Sequence, residues 1–70
     1  MTLGKTIKMA RTYKDLSAQE VAIQTGIAVS TINNIEKGIT KNPELTTLKK
    51  IADVLGLDLM DLLNLIGKES

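Results

Sequence analysis

The sequence predicts an all-α fold of five short helices. Apolar residues recur at three- and four-residue spacing in successive segments, which is the period of an amphipathic helix. Thr2, Ser17 and Asp58 stand where such segments begin and are good N-cap residues. Glycines and a single proline separate the segments. With 70 residues, we expect one small domain that spans residues 1–70.

The composition argues against several classes of function. The chain has no Cys and no His, so it lacks thiolates and imidazoles for metal binding or acid–base catalysis. We therefore expect that the chain is not an enzyme and binds neither a metal nor a cofactor. No apolar run is long enough for a membrane span and no signal-peptide pattern is present, so we expect a cytoplasmic protein. Tyr13 is the only aromatic residue, which argues against single-stranded nucleic acid as the ligand.

Charge is distributed unevenly along the chain. Residues 1–41 carry six basic and three acidic side chains, whereas residues 42–70 carry three basic and five acidic ones. The net charge of the whole chain is +1. A basic first part would suit a surface that faces phosphate groups. So mild an asymmetry is also common on an ordinary solvated face.

The first two helices have clear boundary signals. The first is predicted over residues 3–14, with Leu3, Ile7 and Ala10 on one stripe. The second begins after Ser17, and Glu20 three residues later completes a capping box. This box stabilises the helix and leaves an N-terminus that favours a phosphate.

The third helix, predicted over residues 29–37, has two unlike faces. Ile32 and Ile35 point inward, and polar side chains point outward. Asn is a poor helix former, but its amide can bond adenine in the DNA major groove, where Ser also bonds base edges and Val suits a thymine methyl. We interpret the outward residues as base-reading side chains; they are Val29, Ser30, Asn33 and Asn34. The alternative is that they form an ordinary polar helix face. Because this helix has no Arg, an A·T-leaning site is expected.

Two further helices complete the chain. One is predicted over residues 44–55, with Leu45, Leu48, Ile51, Ala52 and Leu55 on the core, and the other follows Asp58 as far as about residue 66. Met60, Leu63 and Ile66 form a second apolar stripe on the last helix. The stripe is either a homodimer interface, which we favour, or part of a well-covered core.

Residues 16–38, LSAQEVAIQTGIAVSTINNIEKG, resemble the helix-turn-helix of the lambda-repressor/Cro-like family, also called the xenobiotic-response-element type. That family's pattern runs roughly L-S-Q-x-x-L-A-x-x-x-G-V-S-x-x-x-I-x-x-I-E-x-G, followed by a loop with Pro. The matching positions here are Leu16, Ser17, Val21, Ala22, Gly26, Ile27, Ile32, Ile35, Glu36, Gly38 and Pro43. The resemblance implies a five-helix lambda-repressor-like domain whose helices two and three form the helix-turn-helix.

The resemblance also implies roles for individual residues. Arg11 and Glu36 stand where many relatives form a structural ion pair. Asp15 stands where many relatives have Gly, and Ala28 stands where they often have a Ser or Thr cap. Relatives use the loop after the third helix against the DNA backbone. The backbone-contact residues expected here are Ser17, Gln19, Thr31, Lys37, Thr40, Lys41 and Asn42.

Two functions remain open on the sequence alone. The leading hypothesis is a bacterial or phage transcriptional regulator, a repressor, which binds double-stranded DNA as a homodimer with half-sites ~34 Å apart. The alternative is a protein-interaction module of the same fold, antitoxin-like or antirepressor-like, with little DNA binding. The few basic residues and the apolar Ile39 in the loop favour the alternative somewhat. Salt dependence of binding would separate the two.

Overall fold

The computed structural model describes residues 1–66, and this part of the chain contains five α-helices and no β-strand. The all-α, five-helix prediction is therefore confirmed. The helices are α1 (Leu3–Tyr13), α2 (Ala18–Thr25), α3 (Val29–Glu36), α4 (Leu45–Leu55) and α5 (Leu59–Leu63). None of these helices combines the length and the apolar character that a membrane span requires.

The last helix is shorter than predicted. It ends at Leu63 and not near residue 66, because the backbone then tightens into turns. The amide of Leu65 donates to the carbonyl of Leu62 at 3.0 Å, and that of Ile66 donates to Leu63 at 3.2 Å. Both are three-residue bonds, which belong to a tighter turn than the α-helix. The turn packs Leu65 and Ile66 against the core.

One core is formed from all five helices. Its buried side chains follow the predicted stripes and are Leu3, Ile7, Val21, Ala22, Ile32, Ile35, Leu48, Ile51, Ala52, Leu55 and Leu62. The prediction for Leu45 is wrong, since its side chain is 56% exposed. Glu44, Leu45 and Thr46 are all exposed, so the first turn of α4 lies beyond the part of the helix that packs on its neighbours.

The third helix is held by α1 and α2, which both pack against it. Gly4 in the first turn of α1 lies directly on the last turn of α3. A Cβ atom at Gly4 would come within 2.5 Å of the carbonyl oxygens of Ile35 and Glu36. Only glycine permits this approach, and it sets the positive end of one helix dipole against the negative end of another. The position of α3 is therefore fixed at its C-terminal end.

Candidate nucleic-acid interface

Helix α2 begins with a complete capping box. The hydroxyl of Ser17 accepts a hydrogen bond from the Glu20 amide at 3.0 Å, and the Glu20 carboxylate accepts one from the Ser17 amide at 2.9 Å. These bonds, first from the Ser17 backbone and then from its side chain, lower the pKa of Glu20. The box satisfies two amides that a helix N-terminus otherwise leaves open.

The turn between α2 and α3 is built on Gly26 and Thr25. Gly26 adopts the left-handed conformation, with φ at 74°, and its amide donates to the Ala22 carbonyl at 2.9 Å. The hydroxyl of Thr25 donates to the Val21 carbonyl at 2.7 Å and accepts from the Ile27 amide at 3.2 Å. The side chain of Thr25 thus ties the turn back to α2. These bonds help to set the angle between α2 and α3.

Helix α3 begins without a side-chain cap. Ala28 is its N-cap residue and makes no capping hydrogen bond, in agreement with the substitution noted in the sequence. At the other end, the Asn34 carbonyl accepts hydrogen bonds from the amides of Ile39 at 2.9 Å and Thr40 at 3.1 Å. These two hydrogen bonds hold the loop after α3 against the helix. The polar residues of the loop therefore keep a defined position relative to α3.

The inward face of α3 is as predicted, but its outward face is only partly exposed, because Val29 packs partly against the core. Ile32 and Ile35 are fully buried, whereas Ser30 and Asn34 are exposed. Ser30 and Asn34 are four residues apart and so lie next to each other on the exposed face. The remaining predicted base-reading residues, Val29 and Asn33, are half-buried, as is Thr31. The face thus offers one hydroxyl and one amide fully, with partly covered side chains beside them.

Arg11 and Glu36 are brought together across 25 residues of sequence. The Nε atom of Arg11 donates to Glu36 Oε2 at 2.7 Å, and Nη2 donates to Oε1 at 2.9 Å. The two side chains are only 13% and 7% exposed, and the hydrogen bond to Glu36 raises the pKa of Arg11. A third bond, from Nη1 to the Leu16 carbonyl at 2.8 Å, reaches the segment before α2. One guanidinium therefore joins α1, the start of the helix-turn-helix and the end of α3.

Six of the residues predicted to contact the DNA backbone lie in two groups, and the seventh, Thr31, is half-buried within α3. Ser17 and Gln19 are exposed at the start of α2. Lys37, Lys41 and Asn42 are exposed after α3, while Thr40 in the same loop is half-buried. The groups come before and after α3 in the chain, so the side chains predicted to contact phosphates flank the predicted base-reading face in sequence.

A family model described as helix-turn-helix matches residues 7–62. The chain belongs to the Cro/C1-type helix-turn-helix family. It is 36% identical over 62 residues to the transcriptional regulator SinR of Bacillus licheniformis, covering 89% of this chain and 56% of that protein. It is 32% identical over 60 residues to the regulator SlrR of Bacillus subtilis, covering 86% of this chain and 40% of that protein. The family is not enzymatic, as predicted.

Two solved structures share the fold of this helix-turn-helix chain. One is SinR in complex with DNA, with a TM-score of 0.83, 34% identity, and coverage of 89% of this chain and 98% of that one. The other is a complex of SinR and SinI, with a TM-score of 0.84, 31% identity, and coverage of 96% and 65%. The chain spans about half the length of the curated relatives named above.

The predicted dimer residues of this helix-turn-helix chain are unequally exposed. Met60 is 62% exposed, whereas Leu63 and Ile66 are half-buried and pack partly on the core. The turn that ends α5 early carries Ile66 toward the core. A dimer interface at this place would thus be centred on Met60, with the two other side chains at its edge.

Sequence reasoning missed a shallow depression beside the turn of the helix-turn-helix. It has a volume of about 490 Å³ and is lined by Gln19, Ala22, Ile23, Gly26, Ile27, Ala28 and Val29. Ile23 stands 72% exposed at this depression. Three of the lining residues, Gln19, Ala22 and Ile23, lie on one face of α2, and this helix-face spacing is the signal that could have revealed the depression.

Proposed function

We propose that this chain is a sequence-specific, DNA-binding transcriptional regulator that places α3 in the major groove. The observation that carries the proposal is the exposed face of α3, where Ser30 and Asn34 lie opposite the buried Ile32 and Ile35. Asn can bond adenine through two hydrogen bonds, and Ser can bond several base edges. The relative SinR, whose structure was solved in complex with DNA, supports this reading through its shared fold.

The helix-turn-helix is suited to this role because α3 is held rigidly. The Arg11–Glu36 pair and the close approach at Gly4 both act on the last turns of α3. A base-reading side chain must be positioned to within a fraction of an ångström, which a fixed helix achieves. A fixed helix also loses little conformational entropy when it binds. The side chains proposed to read bases are Val29, Ser30, Asn33 and Asn34.

Phosphate contacts would come mainly from the two groups on either side of α3, together with Thr31 in α3 itself. Lys37 and Lys41 supply the positive charge, and the polar side chains supply hydrogen bonds to phosphate oxygens. The complete set proposed is Ser17, Gln19, Thr31, Lys37, Thr40, Lys41 and Asn42. Two lysines per chain give modest affinity, so we propose that the protein binds as a homodimer.

The homodimer would bind a two-fold operator with half-sites ~34 Å apart and act as a repressor. The interface is assigned to Met60, Leu63 and Ile66, of which Met60 is the most exposed. Met suits such a place because its flexible side chain adapts to a neighbouring apolar surface. The site of action is the cytoplasm, where the operator DNA of a bacterium or phage lies.

A protein-interaction module with little DNA binding is the second candidate. The observation that favours it is Ile39, which is 68% exposed in the loop where a basic residue would contact phosphate. The relative SinR was also solved in a complex with the protein SinI. An apolar protein interface would hold its affinity as salt rises, whereas DNA binding weakens steeply.

The test is selection of binding sites from random duplex DNA, at low and moderate salt. We expect enrichment of a two-fold motif that is rich in A·T at the positions facing α3. In Asn34→Ala, the preference for one base pair in each half-site should weaken by about 1–3 kcal/mol, because a bidentate contact is lost. Gln24→Ala, on an exposed residue outside the interface, is the matched control. Failure of a folded protein to enrich any motif would overturn the proposal in favour of the protein-interaction module.

A further inference from the structure

The outer side of α1 is exposed along the length of the helix. On its inner side Leu3, Gly4 and Ile7 are buried, and the helix packs there on α3 and α4. The exposed residues recur at the spacing of one helix face. We call them the α1 face, and they are Lys5, Lys8, Met9, Thr12 and Tyr13.

The α1 face combines positive charge with apolar groups. Helix α1 contains no acidic residue, and within residues 1–66 neither Lys5 nor Lys8 forms an ion pair. Met9 is 56% exposed, and Tyr13, the only aromatic residue of the chain, is 90% exposed. Met and Tyr are enriched at protein interfaces, whereas contacts with the DNA backbone need charge alone. The face therefore suits a protein surface that carries carboxylates beside an apolar side chain.

A surface of this chemistry lies at the start of α5 on the same chain. Met60 is 62% exposed, and the side chains of Asp58 and Asp61 on either side of it in sequence are exposed as well. Neither carboxylate forms an ion pair in the part of the chain that the structure describes. We call these three residues the α5 face. Its two carboxylates and one methionine match the two lysines and the methionine of the α1 face.

The charges indicate how two copies of the chain would meet. If two α5 faces packed on each other, their four carboxylates would come together, and like charges across an interface are unfavourable. We propose that the α5 face of each protomer packs on the α1 face of the other around a two-fold axis. Two-fold symmetry repeats the contact, so four lysines would meet four aspartates. This inference rests on the proposed homodimer and names the surface that covers Met60.

The two faces are neighbours on the protomer, as a self-complementary patch requires. The Cε atom of Lys14, the residue after α1, lies 3.6 Å from the place that a Cβ atom at Gly56 would take. Gly56 is the C-cap of α4 and comes two residues before Asp58. The end of α1 therefore lies beside the turn that leads into α5.

The arrangement also leaves the reading helix free. Gly4, on the inner side of α1, contacts the last turn of α3. Lys5 and Met9 are four residues apart on the outer side, so a protomer that covers them binds on the side of α1 away from α3. Dimer formation and DNA reading would thus use different surfaces.

Charge reversal on each face tests the contact. One variant carries Lys5→Glu and Lys8→Glu, and the other carries Asp58→Asn and Asp61→Lys. Asp58→Asn retains a side-chain oxygen to accept the capping bond from the Met60 amide. In sedimentation equilibrium, each variant alone should have a dimer dissociation constant about 30-fold higher than the wild type, because four exposed ion pairs are lost. An equimolar mixture should form a heterodimer with most of the wild-type affinity, since each α1 face then meets an α5 face of opposite charge.

The matched control is Lys49→Glu with Lys50→Glu, which changes the net charge by the same amount on α4. It should leave the dissociation constant within about 3-fold of the wild type, and circular dichroism checks that every variant is folded. A mixture that stays monomeric, or an α1 variant that dimerises like the control, overturns the contact and leaves DNA reading by α3 standing. A wild-type chain that is monomeric at every concentration overturns the contact together with the proposed homodimer, and selection of duplex sites still tests base reading.

Discussion

At the scale of single residues, Arg11 links three segments of the chain. Its guanidinium donates two hydrogen bonds to Glu36 and one to the Leu16 carbonyl, in a nearly buried place. Two parallel bonds between a guanidinium and a carboxylate are stronger and more specific than a single contact. The pair therefore orients α3 against α1, which is what a reading helix requires.

Removal of the Arg11 guanidinium should destabilise the fold strongly. Arg11→Met leaves the Glu36 carboxylate and the Leu16 carbonyl without these partners in a largely buried place. We expect the free energy of unfolding to fall by roughly 3 kcal/mol, the usual cost of stranding a buried charge. Urea denaturation measures this value. In the double variant Arg11→Met/Glu36→Gln, the free energy of unfolding should fall by less than the sum of the two single variants, because no buried charge is left without its partner.

The matched control is the exposed ion pair of Lys49 and Asp53. Its Nζ and Oδ2 atoms are 3.2 Å apart, and both side chains are more than 60% exposed. Lys49→Met should therefore cost no more than about 0.5 kcal/mol. If Arg11→Met cost as little as Lys49→Met, the Arg11–Glu36 pair would not hold the helix-turn-helix together.

Asp15 is the only residue other than glycine with a positive φ in residues 1–66, at 57°. The left-handed conformation is strained for a residue with a Cβ atom, although less so for Asp than for most. Asp15→Gly should raise the free energy of unfolding by about 0.5–1 kcal/mol. Asp53→Gly makes the same chemical change inside α4 and should lower it by about 0.5 kcal/mol, because Gly is a poorer helix former than Asp and the exposed pair with Lys49 is lost. Chemical denaturation of both variants compares the signs, and a destabilised Asp15→Gly variant contradicts the strain.

At the scale of the elements, the capping box makes the stability of α2 depend on pH. The bonds from Ser17 lower the pKa of Glu20 in the folded protein. The stabilisation is therefore fully present above the ordinary pKa of Glu, and it is lost as pH falls through the lower folded pKa. The stability gap between the wild type and Glu20→Gln should close below about pH 4, as followed by denaturation from pH 7 to pH 3. A gap that stays constant over this range would show that the carboxylate contributes nothing to the cap.

The order and type of the elements could be predicted from the sequence because they depend on local signals. Ser17 with Glu20, Gly26, and the apolar spacing of α3 and α4 act within a few residues. The end of α5 and the exposure of Leu45 could not be predicted in this way. The end of α5 depends on the tighter turn that packs Leu65 and Ile66 against the core, and the exposure of Leu45 depends on how far α4 extends past its neighbours. Apolar periodicity predicts neither.

The candidate site likewise has features that could be predicted from the sequence and features that could not. The two faces of α3 follow from its helical period, and the structure places Ile32 and Asn34 on the expected sides. The depression beside Ile23 depends on the angle between α2 and α3, which is set by the Gly26 turn. The close approach of Gly4 to α3 is likewise a contact between segments distant in sequence. The Gly4 contact has no local signature in the sequence, and the only local sign of the depression is the helix-face spacing of Gln19, Ala22 and Ile23.

At the scale of the whole molecule, the proposed interface combines a rigid reading helix with little charge. Lys37 and Lys41 are the basic side chains assigned to phosphate contacts, so a homodimer would bring four of them. Since each neutralised phosphate releases counterions, the dependence of affinity on salt counts these contacts. A protein that relies on base-edge contacts should show a modest salt slope together with clear sequence preference.

The most direct test is the affinity for a selected duplex and for a scrambled one, measured by fluorescence anisotropy over a range of salt concentrations. We expect the logarithm of the association constant to fall linearly with the logarithm of salt, with a slope of about −3 to −4 for four lysines. Lys41→Gln should make the slope less steep by about 2 per dimer, with the same preference for the selected duplex. Equal affinity for both duplexes, or affinity that does not change with salt, would contradict DNA reading by α3.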